Sequence, residues 1–143
     1  MCLFSRIKTN AKKDLICYKI IERYKNFYGE YCYKTPFQGT PVSIKVIEGQ
    51  EFKPDPFISI GADRKSDGHY EVYDGFIHSY KTRWKARKMA KYIRETLFKG
   101  EDRWYDVYKC IIPKGTEYFD GVDENGFGAY ASKSIKIIKK TCA

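Results

Sequence analysis

Residues 81–98, "KTRWKARKMAKYIRETLF", gather Arg83, Lys85, Arg87, Lys88, Lys91 and Arg94, with Glu95 as the only acid. Guanidinium and ammonium groups at this density hold anions, phosphate above all, through charge and N–H donation. At helical periodicity Arg83, Arg87, Lys91 and Arg94 make one continuous stripe, while Ala86, Met89, Ala90, Ile93 and Leu97 make an apolar one suited to a core. The charges run against the helix they sit on. Arg83 and Lys85 fall in the first turn, where the macrodipole favours acids, and each costs roughly 0.3–1 kcal/mol at low salt. A phosphate bound at that end would reverse the sign of both effects. Thr82 is a good N-cap, but Lys85 stands where a capping box would carry Glu or Gln. We therefore assign Arg83, Lys85, Arg87, Lys91 and Arg94 as candidates for binding an anion or a nucleic acid.

A second set of polar groups precedes the helix. In "DGFIHSYKT" an imidazole and three hydroxyls, from His78, Ser79, Tyr80 and Thr82, are positioned to hold a phosphate or polarise a carbonyl. Lys34 and Gln38, on the Pro- and Gly-shaped loop "YKTPFQG", complete the candidates for lining a ligand pocket. The run "RYKNFYGEYCYK" alternates tyrosine with lysine. That pattern serves base stacking beside phosphate-binding lysines, and it equally serves an amphipathic strand in which lysine stems lie over half-buried tyrosines. Motifs of catalysis are missing: no Walker loop, no G-x-G-x-x-G opening a helix, no H-E-x-x-H, no G-x-S-x-G, and no Cys/His cluster at zinc spacing. No catalytic residue, cofactor or metal ligand is assigned, and binding is favoured over catalysis.

These residues need a scaffold, and 143 residues with 43% hydrophobic and 31% charged side chains are enough for a single domain with a real core. The 27 bases against 18 acids give a net charge of +9, which attracts nucleic acid, anionic lipid or phosphorylated ligands. No apolar run is long enough to cross a bilayer as a helix, and "MCLFS" is too short for a secretory h-region. The five cysteines, Cys2, Cys17, Cys32, Cys110 and Cys142, are odd in number and unspaced, which points to a reducing compartment and no native disulfide. A cytoplasmic protein without a membrane partner is expected.

Along the chain, residues 15–23 read as an interior strand, because apolar side chains occupy both of its faces. Further strands are expected around 31–33, 42–49, 57–60 and 69–75, with a polar turn at 62–68. The helix at 82–98 ends at Gly100, and 102–106 reads as a charged connection to a strand at 107–112. Pro113-Lys114-Gly115 suits a type I turn with proline second and glycine fourth, Asn125-Gly126 is a hairpin signal, and 134–140 is a last strand. Tyr18-Lys19-Ile20-Ile21, Ile44-Lys45-Val46-Ile47, Tyr108-Lys109-Cys110-Ile111 and Ile135-Lys136-Ile137-Ile138 reuse one apolar–lysine alternation, as strands of a single sheet would. The expected fold is α+β, one domain over 1–143 with 1–14 loosely ordered. Its core is a curved, mainly antiparallel sheet or partial barrel of about six to seven strands with one packed helix.

The segments "MCLFS", "GFIHSYKTRWKARK", "YKCIIPKGTEYFDG" and "YASKSIKIIKK" together resemble a family of small proteins of gut Bacteroidota and their phages. No activity or functional residue carries over from that family. The resemblance implies an accessory product, working in the host cytoplasm if phage-encoded, and acting by binding. The expected partner is a nucleic acid, either RNA or single-stranded DNA. The alternatives are capture of a small phosphorylated or nucleotide ligand in a pocket and docking on an acidic host protein.

Overall fold

The computed structural model describes residues 3–35, 48–53, 62–72, 76–97 and 102–141. Their elements are β1 (Leu3–Asn10), β2 (Leu15–Lys25), β3 (Tyr31–Lys34), β4 (Glu51–Phe52), β5 (Ala62–Arg64), β6 (Tyr70–Val72), β7 (Ile77–Tyr80), α1 (Arg83–Tyr92), β8 (Arg103–Ile112), β9 (Glu117–Asp123), β10 (Gly128–Ser132) and β11 (Ile135–Lys140). The eleven strands form one sheet in the order β4-β11-β8-β2-β7-β10-β9-β1-β6-β5, with β3 attached to β2 off this path. Every described pairing is antiparallel. The α+β class and the single packed helix stand, while the strand number exceeds the six or seven expected. The surplus comes from β1, from β4, β5 and β7, pieces of two to four residues too short for a periodicity to register, and from β10.

Several expectations change in detail. Leu3–Asn10, expected to be loose, is a strand held between β9 and β6, with Leu3 fully buried. Residues 103–106, expected as a connection, extend β8, and 62–64 of the expected turn are β5. Of the strand expected at 42–49, residues 42–47 lie outside the described residues and 48–49 form a turn; the strand expected at 57–60, the helix stop at Gly100, and Cys2 and Cys142 also lie outside them. Among those described, Cys17, Cys32 and Cys110 are free thiols.

Strand β2 is the axis of the sheet. One edge pairs with β8 from Leu15↔Ile112 to Tyr24↔Arg103; the other meets β7 at Tyr18↔Tyr80 and then β3 from Glu22↔Lys34 to Lys25↔Tyr31. Alternation sends Ile20 toward a core built with Ala86, Met89, Ala90 and Ile93 of the helical segment, together with Val107, Phe119, Ala129 and Ala131. Cys17 and Ile21 face the other way, into a second cluster with Ile77, Tyr108, Cys110, Ile112, Ile135 and Ile137. Both faces of β2 are thus covered, as its two-sided apolar pattern requires.

The 113–115 turn is displaced by one residue from its sequence reading. Thr116 N–H donates to Pro113 O at 3.0 Å, so proline stands first and Gly115 third, and Gly115 takes φ of 87° as in a type II turn. Gly115 N–H also donates to Ala11 O at 2.7 Å, which ties the turn to the β1–β2 connection. Gly115→Val should cost about 1–3 kcal/mol, because a β-branched residue is strained at positive φ even though a side chain would meet open space. A denaturation midpoint equal to that of the parent would contradict the backbone assigned to this turn.

Candidate nucleic-acid interface

Thr82 opens α1 as expected: it is extended, at φ −126° and ψ 146°, and its Oγ1 accepts from Lys85 N–H at 3.3 Å. The first turn has no acid. Ala86, Met89, Ala90 and Ile93 are buried, which turns Arg83, Arg87, Lys88, Lys91 and Arg94 to solvent. After Tyr92 the hydrogen bonding widens into a π-helical turn, Ile93–Leu97. The wider turn changes the angular step per residue, and Leu97, expected on the core stripe, is 47% exposed instead.

Among the described residues, none of Arg83, Lys85, Arg87, Lys88, Lys91 and Arg94 has a carboxylate at ion-pair distance. The bases around them differ. Lys81 pairs with Asp120, Arg103 with Glu22 at 3.1 Å, and Arg23 and Lys140 with the two oxygens of Asp106 at 3.0 and 3.4 Å. Lys85 and Lys88 are placed by rings instead. Lys85 Nζ lies 4.5 Å from the Trp84 ring centre and 4.3 Å from that of Phe127, and Lys88 Nζ lies 5.0 and 5.7 Å from the same two. Trp84 is nonetheless 61% exposed, so much of the indole is open to a further stacking partner.

Phe127 is held there by the β9–β10 hairpin. Buried Asp123 accepts through Oδ1 from Asn125 N–H at 2.9 Å and Phe127 N–H at 2.8 Å, and through Oδ2 from Tyr80 O–H at 3.0 Å. Gly126 supplies the positive φ, 77°, that the expected Asn-Gly turn demands. Tyr80 and Asp123 thereby couple the strand before α1 to the hairpin that meets its first turns. Burial and the adjacent Asp123 carboxylate raise the Tyr80 phenol well above its ordinary range.

Two open clefts border the helix. One, of about 650 Å³, is lined by Arg83, Trp84, Arg87, Lys88 and Lys91. The other, about 580 Å³, lies between the second half of the helical segment and the sheet, where Arg87, Lys91, Arg94 and Glu95 face Tyr105, Asp106 and Lys140. The stripe read from the sequence is therefore assembled as one surface.

The polar cluster before the helix is dispersed. His78, Ser79 and Tyr80 are 2%, 1% and 1% exposed, because β7 lies between β2 and β10 and both its faces are covered. Thr82 is exposed and occupied as the N-cap. Lys34 is drawn into a local network: its Nζ sits 3.2 Å from Glu22 Oε2 and 5.3 Å from the Tyr24 ring centre. Gln38 lies outside the described residues.

The sequence reading missed Lys19. Its side chain is 4% exposed, and its Nζ donates to His78 O at 2.7 Å, with no carboxylate partner among the described residues. Burial lowers its pKa from 10.5 to about 8, against smaller attractions to the neighbouring thiols of Cys110 and Cys17. Those cysteines face each other across β2 and β8, both fully buried, and burial raises both thiols, that of Cys17 to about 11. The apolar–lysine alternation gave no hint, since Lys136, at the equivalent position of β11, is exposed.

No helix of the described residues is long and apolar enough to cross a membrane, and no group of three His, Cys, Asp or Glu among them is placed to hold a metal ion. Comparison with known proteins finds no matching family model, no matching curated protein and no matching solved structure.

Proposed function

We propose that this protein binds single-stranded nucleic acid, RNA or DNA, on the outward face of the helical segment, without catalysing a reaction on it. The observation that carries the reading is that none of the six helix bases has a carboxylate partner among the described residues, although the bases around them do. A run of unneutralised charge raises the local potential and leaves every donor available to an incoming phosphate. From Arg83 to Arg94 the stripe is roughly 16 Å long at helical rise, enough for several consecutive phosphates. Trp84 and Phe127, with lysines over their faces, add a place where a base stacks next to a neutralised phosphate.

The second reading, capture of a small phosphorylated ligand, draws on the cleft in which Arg87, Lys91, Arg94 and Lys140 converge. Salt separates the two. Single strands lose about 0.7 in the slope of log K against log salt for each phosphate neutralised, so four contacts give a slope of about −3. A mononucleotide gives about −1 or less. Fluorescence anisotropy with labelled single-stranded RNA and DNA across a salt series makes the measurement. No binding at low salt, or a shallow slope with full competition by a mononucleotide, would overturn the polymer reading.

A further inference from the structure

Beyond the point where β7 meets β2, the β2–β3 hairpin continues with its own turn. Asn26 builds that turn: its Oδ1 accepts from the N–H groups of Tyr28 and Glu30, each at 2.9 Å, and its own N–H donates to Glu30 O at 2.8 Å. Gly29 closes it, with φ of 77° and an N–H bonded to Asn26 O at 3.0 Å. This hydrogen-bonded tip presents Phe27 at 98% and Tyr28 at 83% exposure, their rings edge to face with centres 5.9 Å apart. Apolar surface of that size, fixed in water by a turn whose polar groups are satisfied, contributes nothing to the fold.

Behind the tip, cations and rings alternate across one face of β3, β2 and β8. Lys25 Nζ is 5.4 Å from the Tyr31 ring centre, and the Arg23 guanidinium is 5.0 Å from Tyr31 and 5.0 Å from Trp104. Asp106 holds Arg23 in that position at 3.0 Å. The other face is locked by Glu22, which is 1% exposed, accepts from Tyr105 O–H at 2.8 Å and Arg103 at 3.1 Å, and has Lys34 beside it. That buried acid is neutralised by its own neighbours, and Lys25 is exposed with no carboxylate partner among the described residues. Asp106 of β8 also lines the cleft of Arg87, Lys91 and Arg94; the ring ladder lies on the Ile21 face of the sheet and the helix on the Ile20 face, so a strand that reaches both passes around β8.

We infer that the β2–β3 hairpin is a base-stacking arm: Phe27, Tyr28 and the Tyr31–Trp104 ladder take the unstacked bases of a single strand whose phosphates lie on the helix. The inference rests on the proposed function and deepens it by separating two contacts, phosphate on α1 and base on the hairpin. A single strand suits the arm because its bases have free faces, whereas a duplex has already stacked them. Aromatic rings take any base, so the arm is indifferent to sequence.

The test compares the full chain with Phe27→Ala/Tyr28→Ala, using a single-stranded oligodeoxynucleotide and an abasic sugar–phosphate strand of the same length. Neither ring is buried, so the melting temperature should be unchanged. The double variant should bind the base-containing strand about tenfold or more weakly, bind the abasic strand as the parent does, and keep the parent's salt slope. Reversing helix charges should weaken both strands alike. Equal affinity of parent and double variant for the base-containing strand overturns the arm and leaves the helix reading intact. Parent binding of the abasic strand as tight as the natural one overturns it too. Normal strand binding with loss of self-association in sedimentation assigns the tip to a second copy of the chain. Binding of neither strand by the parent removes both readings.

Discussion

Lys19→Met raises the stability of the fold by about 2–3 kcal/mol at pH 7, and the gain disappears as the solution becomes alkaline. The amine is buried with one carbonyl acceptor and no carboxylate among the described residues, and burial takes its pKa from 10.5 to about 8. Below pH 8 the folded chain holds a charged ammonium in an apolar surround, while the unfolded chain hydrates it. Between about pH 8 and 10.5 the folded amine has released its proton and the unfolded one has not, so stability attributable to Lys19 rises with pH through that window. Cys17 and Cys110 have the opposite sign: their raised pKa values remove stability above the ordinary thiol value of 9.0. Parent and variant both carry that loss, which the Lys19 charge moderates in the parent, so the difference between them reads the amine together with its pull on the two thiols. Denaturant unfolding at pH 7 and pH 10 makes the comparison. A methionine variant less stable than the parent at pH 7 would show that the bond to His78 O, with the pull of the two sulfurs, outweighs the desolvation.

Reversing Arg83, Arg87 and Lys91 to glutamate should lower affinity for single-stranded RNA or DNA by about 100-fold or more and leave the fold standing. Three attractions become three repulsions, each worth on the order of 1 kcal/mol at the dielectric of an exposed site. The salt slope should shrink in magnitude by about 2, since three phosphates lose their partners at about 0.7 each. All three side chains are exposed, so no core contact is lost. Glutamate at 83 agrees with the macrodipole and gains, whereas Lys91 stands in the last turn of α1, where a base is favoured, and its replacement gives some of that back. The net change in stability is therefore within about 1 kcal/mol of zero or slightly positive. Unchanged binding would make the stripe a hydrated surface only. A large loss of stability would place these residues in an intramolecular network and withdraw the proposal.

What could be read in advance was what short-range chemistry dictates. Thr82, the buried Ala86–Met89–Ala90–Ile93 stripe and the Asn125-Gly126 turn depend on neighbours within a few residues, and each is found where its own pattern places it. The two-sided apolar run of β2 likewise announced a central strand. Lys19 fails the same logic because its burial is decided by partners far along the chain: Tyr108, which pairs with it, and β7, where the His78 carbonyl accepts its hydrogen bond. His78, Ser79 and Tyr80 were rich in polar atoms and so looked like a surface, yet pairing with β2 and β10 closes over them. The Arg23–Trp104 stack joins residues brought together only by the β2–β8 register, which no local spacing encodes. The helix stripe was legible for the converse reason: a helix fixes its own face. The hairpin arm announced itself only as tyrosines alternating with lysines, a pattern that a plain strand shares.

The pairing scheme also sets the order in which this chain can mature on a ribosome. β1 takes its partner β9 from Glu117–Asp123, and β2 takes β8 from Arg103–Ile112, so the earliest strands to emerge wait for some of the last. Until then Ile20 and Ile21 lack β8, and the pairings open to these strands are those of β1 with β6 and of β2 with β3 and β7. Loop closure over such separations precedes any reward from contact, which makes the nascent chain a late, all-at-once folder with unsatisfied strand edges in the interval. A dense run of lysine and arginine is useful in that interval, because charge keeps apolar strands from meeting those of neighbouring chains before their own partners have been made.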